Sequence, residues 1–139
     1  MAELVQEVVI AAQPSTIFGL LTDPEQVAWW GTNAELDPRP GGIYKILVGD
    51  NHPSKGEFVE VVTNEKIVFT FGWDQPDHPI PAGSTQVAIT LTPDGDGTRV
   101  RLVHSGLPDD AITDHTKGWS QFLASLSDEA LAVQSRSSQ

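Results

Sequence analysis

The chain's 139 residues carry 19 acidic and 8 basic side chains, for a formal net charge of −11, and no cysteine. That length suits one domain with a sizeable core. The charge argues against nucleic acid or anionic membranes as partners held by bulk electrostatics, and the lack of thiols excludes disulfides, thiolate catalysis and cysteine-bound metals.

The first residues, "MAELVQEVVIAA", lack a basic leader and carry Glu3 and Glu7, so they do not read as a signal peptide. No apolar run nears the roughly 20 residues that span a bilayer, and a cytoplasmic protein is expected. Residues 3–12 are β-branched and partly alternating, which predicts a strand. Pro14 suits the first turn of a short helix bearing Ile17, Phe18, Leu20 and Leu21. A second short helix follows, with Asp23 as N-cap, Pro24 as first residue and Gly31 as its end. Its "WWG" places two tryptophans about 100° apart, so one core cannot easily bury both. The expectation is that Trp29 packs inward and Trp30 lies nearer an opening.

An antiparallel meander should come next. "RPGG" (39–42) is a turn, and "IYKILV" (43–48) alternates with Tyr44, Ile46 and Val48 on one face. Residues 49–56 read as a turn-rich loop and 57–62 as a strand. Glu57 and Glu60 have opposite parity, which excludes a carboxylate pair on one face; Glu60 is the one expected to turn inward, unless a bulge near the preceding glycine breaks that parity. In "IVFTFGW" (67–73), Ile67, Phe69, Phe71 and Trp73 share a face. The proline-rich stretch 74–84 is too broken for regular structure. "TQVAITL" (85–91) and "TRVRLVHS" (98–105) flank the hairpin signal "TPDGDG". Val87, Ile89 and Leu91 line one face of the first strand. Val100, Leu102 and His104 line one face of the second.

Residues 109–134 form a long helix with Asp109 or Asp110 as cap, and 135–139 form a frayed tail. Ile112, Trp119, Phe122, Leu123, Leu126, Ala130 and Val133 make its apolar stripe. Gly118 costs about 1 kcal/mol there relative to alanine, which suggests a close approach by another element. The architecture expected is α+β: a curved antiparallel sheet of about six to seven strands wrapped round the long helix, with two short helices after the first strand.

Several words in this order resemble the helix-grip fold of the START-like, birch-pollen-allergen-like superfamily (SRPBCC). Within it they resemble the small stand-alone form of the family of activator of heat-shock-protein ATPase homologues. They are "PSTIFGLLTDP" (14–24), "WWG" (29–31), "RPGGIY" (39–44), "GEFVEV" (56–61), "IVFTFGW" (67–73), "GTRVRLVHSGL" (97–107) and "GWSQFLASL" (118–126). The resemblance implies a single domain over 1–139 with a cavity between sheet and long helix. It also implies an apolar or aromatic small-molecule partner. It brings no catalytic motif and no cofactor. Its name suggests a chaperone-linked or other protein-interaction role, on analogy alone.

The cavity candidates are Trp30, Tyr44, Phe69, Phe71, Trp73, Ile89, Leu102, His104, Trp119 and Leu123. A face of rings serves a core and an apolar pocket equally well. His104 could anchor a ligand, act as acid or base, or be a satisfied core histidine. A cofactor-free enzyme of cyclase or hydratase type would need a second polar group within reach of His104. His52, His78 and His115 show no metal-ligand spacing. "DQPDH" reads as a solvated loop and "PDGDGT" as a hairpin turn, so no metal is expected. The sequence leaves the oligomeric state open.

Overall fold

The computed structural model describes residues 2–23, 31–48, 52–74 and 80–137. The expected second short helix and both Trp29 and Trp30 lie outside them, as do His78 and most of "DQPDH". The element order is β1 (Ala2–Ile10), α1 (Pro14–Thr22), β2 (Gly31–Leu36), β3 (Ile43–Val48), β4 (His52–Val62), β5 (Lys66–Phe71), β6 (Thr85–Asp94), β7 (Gly97–Leu107) and α2 (Ile112–Ser137). The seven strands form one sheet in the order β1-β7-β6-β5-β4-β3-β2, with every pairing antiparallel. Its inner face meets α1 and α2. Trp119, Phe122, Leu123, Leu126 and Ala130 of α2 join Phe58, Phe69, Phe71, Val87, Ile89, Val100 and Leu102 of the sheet in one core.

Period-two alternation is clearest in β6 and β7. Val87, Ile89, Leu91, Val100, Leu102 and His104 point inward and are buried, and Arg99 and Arg101 point out. The hairpin between them closes on Gly95 and Asp96. Gly95 sits at φ 61° in the first central position, the residue and geometry a type II′ turn requires.

Four boundaries differ from the sequence reading. Gly31 opens β2 instead of ending a helix. The stretch read as a loop over 49–56 is strand from His52 onward. There Pro53, with no N–H to donate, sits opposite Leu47, and the buried Ser54 hydroxyl donates to the Ile46 carbonyl at 2.9 Å. A β-carbon on Gly56 would overlap the Thr70 carbonyl of β5, so only glycine fits this crossing. Asp109 and Asp110 do not cap α2 with their side chains. They lie in a short 3₁₀ turn (Asp109–Ala111) whose N-cap is Pro108. The helix itself runs to Ser137, beyond the expected end at 134.

A bulge between Phe58 and Glu60 breaks the parity of β4, and Glu60 does not turn inward as expected. Phe58 pairs with Phe69 and Glu60 with Val68, so β4 carries one extra residue. Val59 and Glu60 therefore both face outward, and Glu60 forms a 3.2 Å ion pair with Lys66. No carboxylate enters the core from this strand.

The long helix is tied to the β1 edge by one polar side chain. Gln6 donates from Nε2 to the Thr116 carbonyl at 2.8 Å and accepts from the Ser120 hydroxyl at 3.2 Å. Apolar packing sets the depth of α2, and this bidentate contact joins its outer edge to β1. Among the described residues no helix is long and apolar enough to cross a membrane.

Candidate functional site

A cavity of about 260 Å³ lies between the ends of β3 and β5 and the first turns of α2. Tyr44, Phe71, Trp73 and Trp119 form its aromatic wall. Asp114, His115, Gly118 and Gln121 of α2 complete it. Asp114, Gly118 and Gln121 follow i, i+4, i+7 spacing, so they share one line along the helix. His115 and Trp119 stand beside that line on the face turned toward the sheet.

Trp73 continues the inward parity of β5 past the end of the strand. Its backbone N–H donates to the Ile80 carbonyl at 2.9 Å, and it bridges Ser54 on one side and Pro81 on the other. Phe71 sits at the centre of the ring cluster. Its centroid lies 5.3 Å from Trp73, 5.1 Å from His104 and 5.7 Å from Trp119. Tyr44 stacks on Phe69 at 4.1 Å and 17°. These tilted and offset contacts are the arrangements aromatic quadrupoles favour.

The polar atoms around the cavity bond to one another in fixed directions. An indole N–H can only donate, so the 2.9 Å contact from Trp119 Nε1 makes His104 Nδ1 an acceptor. The ring proton therefore sits on Nε2 and is given to Thr85 Oγ1 at 2.8 Å. The Thr85 hydroxyl in turn donates to the Phe71 carbonyl at 2.7 Å. His104 is fully buried. A second ring proton would point at the Trp119 N–H. Burial first, and the nearby His115 second, hold the imidazole pKa down at about 3.

A second tryptophan–histidine pair lies beside the first. His115 Nδ1 donates to the Ala111 carbonyl at 3.0 Å, which leaves Nε2 to accept from Trp73 Nε1 at 3.4 Å. The two imidazoles meet edge to face at 5.5 Å. The Tyr44 ring is buried beside Ser54, whose hydroxyl proton goes to the Ile46 carbonyl. Burial pushes the Tyr44 pKa up, against the smaller lowering effect of Ser54.

Of the ten sequence candidates, Tyr44, Phe71, Trp73 and Trp119 line the cavity. Phe69, Ile89, Leu102 and Leu123 are buried in the core away from it, and His104 stands behind Phe71 and Trp119. Trp30 lies outside the described residues. Four lining residues were missing from the candidates: Asp114, His115, Gly118 and Gln121. His115 precedes Trp119 by four, so the helical period that marks Trp119 also marks His115. Gly118 differs from expectation in its reason. No atom lies within 4 Å of the place a β-carbon would take, so the glycine leaves space instead of admitting a close neighbour. Among the described residues no group of three histidine, aspartate or glutamate side chains is placed to hold a metal.

Comparison with solved structures agrees with this architecture. The chain is 39% identical to an AHSA1-like protein from Rhizobium etli, over 93% of this chain and 81% of that one, with a TM-score of 0.74. A protein from Mesorhizobium loti superposes with a TM-score of 0.81 at 25% identity, over 91% and 95% of the two chains. The Aha1 dimer from Colwellia psychrerythraea shares the fold at 21% identity, with a TM-score of 0.80 over 94% and 96%. Comparison with curated proteins gives no match. Residues 11–130, most of the domain, match the family described as Activator of Hsp90 ATPase homolog 1-like protein, and the chain belongs to that family.

Proposed function

We propose that the protein binds a compact apolar or aromatic small molecule in the cavity between β3, β5 and α2. One observation carries this reading. Four rings surround about 260 Å³ of space, and Gly118 keeps the helical side of it open. An apolar cavity of about 150 Å³ accommodates benzene, so this one suits one or two fused rings. It is small beside the roughly 300–1,000 Å³ of drug-sized sites, which disfavours sterols and long acyl chains as whole ligands.

Acid–base catalysis fits the geometry less well. Thr85 is within reach of His104, as such chemistry would need, but its hydroxyl is committed to Phe71 and both histidine nitrogens are engaged. A catalytic base requires a lone pair facing the substrate, and His104 turns none toward the cavity.

The test uses Gly118. Gly118→Ala removes the helical cost of glycine and meets nothing at its β-carbon, so stability should rise by up to about 1 kcal/mol. Gly118→Leu extends into the cavity and should abolish binding while the fold is retained. Thermal shift and native mass spectrometry with one- and two-ring aromatics read both effects. Undiminished binding by Gly118→Leu would remove the cavity as the site.

A further inference from the structure

Resting on that small-molecule reading, we infer that the site selects a compact aromatic carrying a cationic nitrogen, such as a protonated arylalkylamine, with the ring system inside the cavity and the charge at the Asp114 side of its mouth. Few hydrogen-bonding groups remain open to a ligand on the described cavity wall. Inside the cavity, the ring nitrogens of Trp119, Trp73 and His115 are engaged with His104, His115 and Ala111, and the buried Tyr44 side chain lies beside Ser54. The inner wall thus offers ring faces and edges. Groups able to meet a polar substituent stand on the helical rim, where Asp114 and Gln121 are both exposed.

Of these two, Asp114 carries the charge. Among the described residues it takes part in no ion pair; those present involve Arg39, Lys66 and Arg99. Lys117, three residues on, does not line the cavity. One effect opposes a cation here, because Asp114 is in the first turn of α2, where the helix dipole presents about half a positive charge. Asp109, Asp110 and Asp114 together outweigh it with three carboxylates. The rings add to the preference, since the face of an aromatic ring is electron-rich and attracts ammonium groups. The net charge of −11 sets the same sign at long range. A carboxylate on the same skeleton would meet Asp114 with no lysine or arginine among the described lining residues to offset it.

Three ligands of one shape separate the terms: naphthylmethylamine, naphthylmethanol and naphthoate, titrated at neutral pH and low salt into the wild type, Asp114→Asn and Gly118→Leu. The ammonium should bind the wild type about tenfold tighter than the alcohol, and the carboxylate more weakly than either. Asp114→Asn should cut the amine-to-alcohol ratio by about threefold and leave the alcohol's affinity unchanged. Gly118→Leu should abolish binding of all three. If the alcohol or carboxylate binds as tightly as the amine, or if Asp114→Asn leaves the ratio intact, charge selection is wrong and the small-molecule reading stands. If none of the three binds the wild type, both fall.

Discussion

Trp119→Ala should lower the stability of the domain by about 3–5 kcal/mol, the usual cost of removing a buried tryptophan. Trp119 is almost wholly buried and touches Phe71, His104 and Phe122. Trp119→Phe separates packing from hydrogen bonding. It keeps most of the ring contact but removes the only donor to His104 Nδ1, and a buried acceptor left without a partner costs about 1–3 kcal/mol. Urea denaturation at neutral pH measures both changes. A loss below about 0.5 kcal/mol for Trp119→Phe would mean that the indole–imidazole bond is not formed in solution.

Acid should destabilise the protein through His104. Unfolded histidine titrates near 6.5, and the folded imidazole near 3. Between these values the unfolded chain takes up a proton that the folded one refuses. Stability therefore falls as pH drops below about 6.5, by at most about 1.4 kcal/mol per pH unit, and the loss levels off near pH 3. At pH 4.5 the loss amounts to roughly 2–3 kcal/mol. His104→Gln isolates this group from the carboxylates. The variant should be less stable than the wild type at pH 7.5, and the gap should narrow by that amount at pH 4.5. Parallel curves would contradict the neutral, locked imidazole. Nitrogen NMR at neutral pH should show the proton on Nε2, and Trp119→Phe should raise the pH at which the ring titrates.

The sheet was legible in the sequence where one face is buried and the other wet. In β6 and β7 the alternation of Val87, Ile89, Val100 and Leu102 with more exposed neighbours determines the inward face, and in β5 Phe69 and Phe71 keep that parity although Val68 is also buried. That same parity placed His104 inside, but parity cannot say which partners its nitrogens find. Those partners come from Thr85 and Trp119, on two other elements. β2 was missed because "GTNAEL" has neither alternation nor β-branched density, and its pairing with β3 is irregular between Thr32 and Glu35. The start of β4 was missed because His52, Pro53, Ser54 and Gly56 are turn formers that neighbouring strands hold extended. Asp114 and Gln121 are polar residues on an amphipathic helix, and their sequence context resembles any solvated face. Only the vacancy at Gly118 between them marks that face as the edge of a cavity.

The arrangement of polar groups has a consequence for how such a protein can change its ligand. The imidazole, indole and hydroxyl groups of the sheet and of the inward face of α2 bond to one another and to the Phe71 and Ala111 carbonyls, so altering any of them disturbs the packed interior. Positions 114, 118 and 121 contribute no buried hydrogen bond to the core, and they lie on the exposed edge of one helix. On the proposed small-molecule reading, size and charge preference would be retuned at three neighbouring helical positions with little loss of stability. Engineering for a new guest should begin with a library at those positions and leave the sheet untouched.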